Sequence, residues 1–165
     1  MEKFSLPIIS AIIERQKDGE TEILVQTRWK PEEDPVYTGC LEIPAGKIRE
    51  FENVYDALNR EVKEETGLKI TSIFPDIKTK THSPKDDGSF AFQPFCCQQQ
   101  TKGGRPWIGF VFICNVEDKT PLKEGDNTRD IRWIKKSELK RIFEETPEKI
   151  FTLQLGVLDY YFNKS

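Results

Sequence analysis

Residues 46–68 read GKIREFENVYDALNREVKEETGL, and the rest of the chain is read outward from them. Residues 53–66 hold no proline or glycine and are expected to form a helix. Gly67 stands where a left-handed residue would end it. At about 100° per residue, Val54, Ala57, Leu58 and Val62 share one side of that helix, the side that packs on a core. Asp56, Asn59 and Lys63 fall opposite. Glu61 and Glu65 fall within the apolar stripe, and Glu64 lies on its flank. A merely solvated charge run would avoid that face.

Three penalties meet there. Glu61 and Glu65 are a like-charged i, i+4 pair. Glu64 and Glu65 sit in the last turn, where the macrodipole already presents negative charge. Facing inward strips water from carboxylates. Arg60 reaches Glu64 at i+4, but one arginine does not neutralise three acids. A divalent cation would relieve all three penalties, and oxygen-only ligands select a hard ion, Mg²⁺ with Mn²⁺ as a substitute. Because charge runs usually solvate, an acidic helix end resting on the surface competes, and the helix face alone leaves the two readings balanced.

The spacing tips the balance. Gly46, Glu52, Arg60-Glu61, an aliphatic, Glu64-Glu65, Gly67 and an aliphatic stand at set intervals that resemble the Nudix box without a mismatch. The match covers 23 of 165 residues and fixes nine positions. Resemblance to the Nudix hydrolases implies an α+β fold: an α/β/α sandwich with a mixed, curled β-sheet flanked by helices. It also implies hydrolysis of a nucleoside diphosphate linked to another group. Glu61, Glu64 and Glu65 then become the metal ligands, joined by the Gly46 carbonyl. Glu61, Glu64 and Arg60 form the catalytic group, with Arg60 orienting Glu64 or its neighbours. Glu52 supports the loop or a second metal through water. The family draws its base from the box helix or from an acid on a distant loop. Here the loop acids are Glu117, Glu124 and Asp130, each of which also reads as an ordinary surface acid.

Composition narrows the class. The length suits one domain over residues 1–165. Hydrophobic residues are 36% and charged residues 32%, as in a soluble globular chain. A net charge of −3 gives no reason to expect nucleic-acid or membrane binding, which usually shows as a basic patch. No apolar run approaches a membrane span, and residues 1–13 lack a signal-peptide pattern, so a cytoplasmic protein is expected. The resemblance implies a small nucleotide as its partner, and a monomer and a homodimer are both compatible. Cys40, Cys96, Cys97 and Cys114 show no CxxC spacing and are expected to be reduced and packed as small hydrophobes. His82 reads as structural. Arg28, Lys47 and Arg49 could meet phosphates, and Trp29, Phe92 and Trp107 could stack on a base or sit in the core.

The remaining elements follow from pattern. Residues 6–14 and 21–29 read as a hairpin around the Lys17-Asp18-Gly19 turn. Residues 29–39 read as a loop and 40–43 as a short strand. Residues 69–74, 89–97, 107–116 and 130–134 read as strands. Residues 78–88 are ambiguous, 98–106 form a hairpin loop, and 117–128 a charged loop. A helix over 137–144 is expected with Ser137 as N-cap, and a last helix from Pro147.

Substrate is least marked. The lead-in LEIPAGKI is similar to the ADP-sugar branch, and Pro84 lies sixteen residues beyond Leu68, where that branch often has proline. Against this, only 45 residues precede Gly46, barely enough for the core strands. ADP-ribose or an ADP-sugar is slightly favoured. A nucleoside-triphosphate pyrophosphatase acting on ordinary or oxidised nucleotides is the alternative, and a catalytically inactive nucleotide-binding module is the alternative of another class.

Overall fold

The computed structural model describes residues 1–164. Its centre is β1 (Leu6–Lys17), whose apolar residues point alternately to two faces. Ile9, Ala11 and Ile13 enter one core, and Ile12 enters the other. A strand buried on both sides is apolar nearly throughout, which explains the run IISAII. β1 turns at Asp18 and Gly19, both at positive φ, into β2 (Glu20–Arg28). The two pair only near that turn, from Glu14 opposite Ile23 to Lys17 opposite Glu20. The first half of β1 diverges to run parallel to β9 (Trp107–Val116) and antiparallel to β4 (Ala45–Lys47).

The nine-stranded sheet has the order β10-β11-β2-β1-β9-β5, with β3, β4 and β8 attached to β2, β1 and β9. Here β3 is Leu41–Glu42, β5 Ile70–Phe74, β8 Cys96–Gln99, β10 Glu124–Gly125 and β11 Thr128–Lys135. A separate pair joins β6 (Ile77–Lys78) to β7 (Phe92–Gln93). Helix α1 (Val54–Thr66) covers one face with Val54, Ala57, Leu58 and Val62. Helices α2 (Lys136–Glu145) and α3 (Leu155–Lys164) cover the other, through Leu139, Val157, Leu158 and Tyr161. The α/β/α sandwich with a mixed sheet is therefore the observed architecture. No helix among the described residues is long and apolar enough to cross a membrane.

Several sequence expectations need correcting. Residues 89–97 are not one strand, because Pro94 lacks the N–H a ladder needs and separates β7 from β8. β8 pairs as far as Gln99 opposite Ile108, so the hairpin loop is shorter than residues 98–106. The charged loop over 117–128 carries β10, and β11 begins at Thr128 and not at 130. Ser137 does not cap α2. β11 pairs until Lys135 opposite Glu22, and the helix begins on the next residue with no side-chain cap. Pro147 opens a single 3₁₀ turn, because Ile150 bridges to Leu41 and the Phe151 amide donates to the Leu41 carbonyl. The last helix starts only at Leu155. Cys114 is buried, whereas Cys97 is exposed, and all four thiols are free.

β10 closes the C-terminal end of α1. The Leu122 amide donates to the Thr66 carbonyl at 2.9 Å. A Cβ on Gly125 would stand 1.9 Å from the Glu65 carbonyl oxygen, so backbone meets backbone there. Gly125→Ala should therefore destabilise the protein by roughly 1–3 kcal/mol, the usual cost of overpacking. Gly156→Ala, on α3 with open space around it, should be neutral or slightly stabilising. Urea denaturation of both variants checks the contrast.

Candidate metal and nucleotide site

α1 begins cleanly because the Asn53 side chain accepts from the Tyr55 amide at 2.9 Å. It ends at Gly67 with φ of 76°, the left-handed stop expected from sequence. The burial that packs Leu58 and Val62 on the sheet carries Glu61 and Glu65 inward with them. Glu65 is 9% exposed, and its Oε2 accepts from Gln26 Nε2 at 2.9 Å and from the Ala45 amide at 3.1 Å. Burial, then the nearby Glu42 charge, pushes its carboxyl well above the usual range. Glu61 is pushed up by burial as well, against the pull of Arg60. Glu42 on β3 is raised by burial despite its hydrogen bonds from Arg28 and Gln26.

Arg60 ties the set together. Its Nε and Nη2 form a two-pronged pair with Glu52 at 2.7 and 2.8 Å. Nη1 donates to Glu61 and, at 3.3 Å, to Glu64, while Nη2 also donates to the Lys47 carbonyl at 3.0 Å. Glu52 accepts in addition from the Arg49 amide, and its hydrogen bonds from Arg60 hold its carboxyl down at about 2. A Cβ on Gly46 would lie 1.9 Å from the Glu61 carboxyl carbon, so a side chain there would displace that carboxyl.

These residues line a cavity of about 380 Å³, which gathers Gly46, Arg60, Glu61, Glu64 and Glu65. Arg28, Lys47, Arg49 and Trp107 line it too, together with Lys30, Glu42 and Phe151. Glu52 lies behind the wall, on Arg60. Of the loop acids, Glu117 pairs with Lys119, and Glu124 approaches Arg129 at 4.0 Å. Asp130 sits at positive φ at the irregularity in β11. None of the three lines the cavity; Asp126, on the turn between β10 and β11, does. Sequence reading missed Asp126, Glu42 and Gln26. Asp126 is one acid in a charged loop whose closure against α1 depends on the tertiary approach at Gly125. Glu42 and Gln26 read as strand residues, and only the pairing of β2 with β3, Gln26 opposite Glu42, puts them beside Glu65. Phe92 belongs to an aromatic cluster with Tyr55, Phe110 and Phe112, Trp29 carries Arg129 over its ring, and His82 bridges Ser89.

Among the described residues, no three His, Cys, Asp or Glu side chains already form a closed metal cage. The donor chemistry nonetheless fits a hard divalent cation. The cavity offers carboxylate oxygens and no thiol or imidazole, two of its box carboxylates are raised by burial, and a bare glycine backbone lies against Glu61.

The sequence profile of the NUDIX domain matches residues 6–154, and the chain belongs to that family. Members that are hydrolases generally use divalent metal ions. Over 66 residues, 38% of this chain, it is 44% identical to an ADP-ribose pyrophosphatase of Saccharomyces cerevisiae. Over 50 residues, 30% of this chain, it is 42% identical to an uncharacterised Nudix hydrolase of Schizosaccharomyces pombe. The matched segments span only 27% and 23% of those relatives' lengths. Among solved structures, the NUDIX domain of Shewanella oneidensis NrtR, complexed with ADP ribose, superposes with a TM-score of 0.67 at 12% identity. That match covers 99% of this chain and 90% of that one. A NUDIX hydrolase of Nitrosomonas europaea gives 0.60 at 20% identity, covering 98% and 91%. At these identities the structural likeness establishes the fold.

The raised carboxyl of Glu65 sets a pH dependence. An acid whose folded pKa lies above its unfolded value of about 4.5 is bound more tightly by its proton in the folded state. Without metal, its contribution favours the fold at low pH and is lost as pH rises from about 4.5 through the raised value. Glu65→Gln should leave the fold intact, since one amide oxygen can accept from both Gln26 and Ala45. It should match or exceed the wild-type melting temperature at pH 7–8 without metal and flatten this part of the pH profile. Thermal melts across pH 4.5–8 test this. Glu52→Gln should act with the opposite sign, because its lowered carboxyl contributes stability above about 4.5 that is lost as pH falls towards about 2.

Proposed function

We propose that the protein is a Mg²⁺-dependent pyrophosphohydrolase, with Mn²⁺ able to substitute. Its substrate is a nucleoside diphosphate linked to a further group, ADP-ribose or an ADP-sugar by preference. The observation that carries this reading is one cavity with two kinds of charge. Glu61, Glu64, Glu65 and the Gly46 backbone line it together with Arg28, Lys30, Lys47 and Arg49.

Glu61, Glu64, Glu65 and the Gly46 carbonyl are the residues that would hold the ion. A divalent cation supplies charge neutralisation on the diphosphate and a more acidic water. The chain's own residues do the rest. Lys47 and Arg49 meet the phosphate oxygens, whereas Arg28 is held on Asp34 and Glu42. Arg60 orients Glu61 and Glu64 while Glu52 holds Arg60. Water oxygen adds to one phosphorus, the bridging P–O bond breaks, and the bridging oxygen leaves on the other phosphate. The proton of the water passes to a carboxylate, for which Glu64 and Asp126 are the candidates exposed at the cavity. The ADP-ribose preference draws on the Glu42-Ile43-Pro44-Ala45-Gly46 lead-in, on Pro84 and on the similarity to the yeast ADP-ribose pyrophosphatase.

Activity should vanish on exhaustive chelation and return with Mg²⁺ or Mn²⁺; full turnover after chelation would sink the metal assignment. Arg60→Ala should lower the rate about 10–100-fold while metal binding persists, because Arg60 supports ligands and is not one. The substrate assignment is checked by kcat/KM for ADP-ribose against ordinary and oxidised deoxynucleoside triphosphates in the same metal. A triphosphate preferred more than about tenfold, or ~1.4 kcal/mol of transition-state discrimination, would overturn the ADP-sugar preference and leave the pyrophosphohydrolase reading intact.

A further inference from the structure

One buried side chain beside the carboxylates has no part in the reading above. Gln26, on β2, is fully buried. Its Nε2 donates to Glu65 Oε2 at 2.9 Å and to Glu42 Oε1 at 3.2 Å. The orientation of the amide is dictated by what it faces. Two carboxylates lie at the same end of the side chain, so that end must be the NH₂ group, which alone can donate to both. The consequence is an orphan: Gln26 Oε1 is buried with no donor among the described residues.

A buried carbonyl oxygen without a partner costs stability. Native structures keep few such groups, and each calls for a reason. Packing does not supply one here, since an apolar side chain of the same length would fill the space without the orphan. Glu42 cannot take over the task, because its other oxygen is held by Arg28 Nη1 at 3.1 Å. Arg28 is itself tied to Asp34 at 2.8 Å and lies over the Phe151 ring at 4.2 Å. Asp34, Arg28, Glu42 and Gln26 thus form a continuous hydrogen-bonded chain ending on Glu65. Together with the Ala45 amide, that chain occupies Glu65 Oε2 twice, whereas Oε1 accepts none of the hydrogen bonds made among the described residues.

We infer that Gln26 is a positioning residue for the metal site: it pins Glu65 by Oε2 so that Oε1 is presented to a divalent cation, and Glu42 and Arg28 hold Gln26 in that orientation. This rests on the reading of Glu65 as a metal ligand.

The test uses Mn²⁺ alone as the probe, titrated against the full chain and followed by calorimetry or by paramagnetic resonance of the free ion. Gln26→Met keeps side-chain length and removes both donors. Its Mn²⁺ dissociation constant should rise about 10–100-fold, the usual loss when a partner of a metal ligand is removed. The circular dichroism spectrum should stay native. A role confined to packing would shift the melting temperature and leave Mn²⁺ affinity at the wild-type value, and that result overturns the inference. Should Gln26→Met fail to fold, Gln26→Asn, shorter by one methylene but still polar, is titrated in its place with the same expected and contrary results. Glu65→Gln separates this inference from its premise. Lost affinity in Glu65→Gln with wild-type affinity in the folded Gln26 variant overturns the positioning role alone. Wild-type affinity in both overturns the ligand reading as well.

Discussion

Carboxylates buried on the core-facing side of a helix are the constraint around which this molecule is arranged. Glu61 and Glu65 share α1's packed face with Leu58 and Val62, so the sheet cannot bury one set without the other. Water is largely excluded from Glu65, and its neighbour Glu42 carries the same sign of charge. Much of the surrounding structure answers that problem. Arg60 is locked by Glu52 and spans Glu61 and Glu64; Gln26 and the Ala45 amide serve Glu65; Arg28 serves Glu42. These partners come from β2, from β4 and from the loop before α1, so the charged face also fixes how those elements meet.

Close backbone approach is the second condition. β4 passes so near α1 that a Cβ on Gly46 would displace the Glu61 carboxyl, and β10 passes so near the last turn that a Cβ on Gly125 would meet the Glu65 backbone. Both contacts lie along the half of α1 that bears the carboxylates. One presents the Gly46 backbone to Glu61, and the other seats the turn with Asp126 at the cavity. The two glycines differ in how visible they were. Gly46 is part of a spaced motif, whereas nothing local to Glu124-Gly125-Asp126 announces a contact with Glu65, sixty residues earlier.

That difference explains what could be read before folding. α1 was legible to within a residue because its period and its Gly67 stop are local signals. β1, β2 and β9 were legible because their alternation and apolar runs reflect burial on both faces. The misjudged elements are those decided by distant partners. Ser137 would make a good cap, but strand pairing to Glu22 holds the chain extended through Lys135. Pro147 would open a helix, but Ile150 bridges to Leu41, whose carbonyl accepts from the Phe151 amide. The site divides the same way. Its box residues share one helix and one loop, whereas Gln26, Glu42 and Asp126 reach it only through sheet registry and a tertiary closure.

The cavity's charge pattern bears on the proposed reaction. Its carboxylates and its cations are not all cancelled in pairs: Arg60 and Arg28 are engaged with glutamates and an aspartate, while no ion pair among the described residues claims Lys30 or Lys47. A free diphosphate would gain from those lysines but be repelled by Glu61, Glu64 and Glu65. A bare cation would gain from the glutamates but be repelled by the lysines. On the proposed reading, a diphosphate carrying a divalent cation would satisfy both ends at once. The attraction is then greatest for the combined species. On the proposed reading, that would make metal and nucleotide bind cooperatively, each neutralising the group that would otherwise oppose the other.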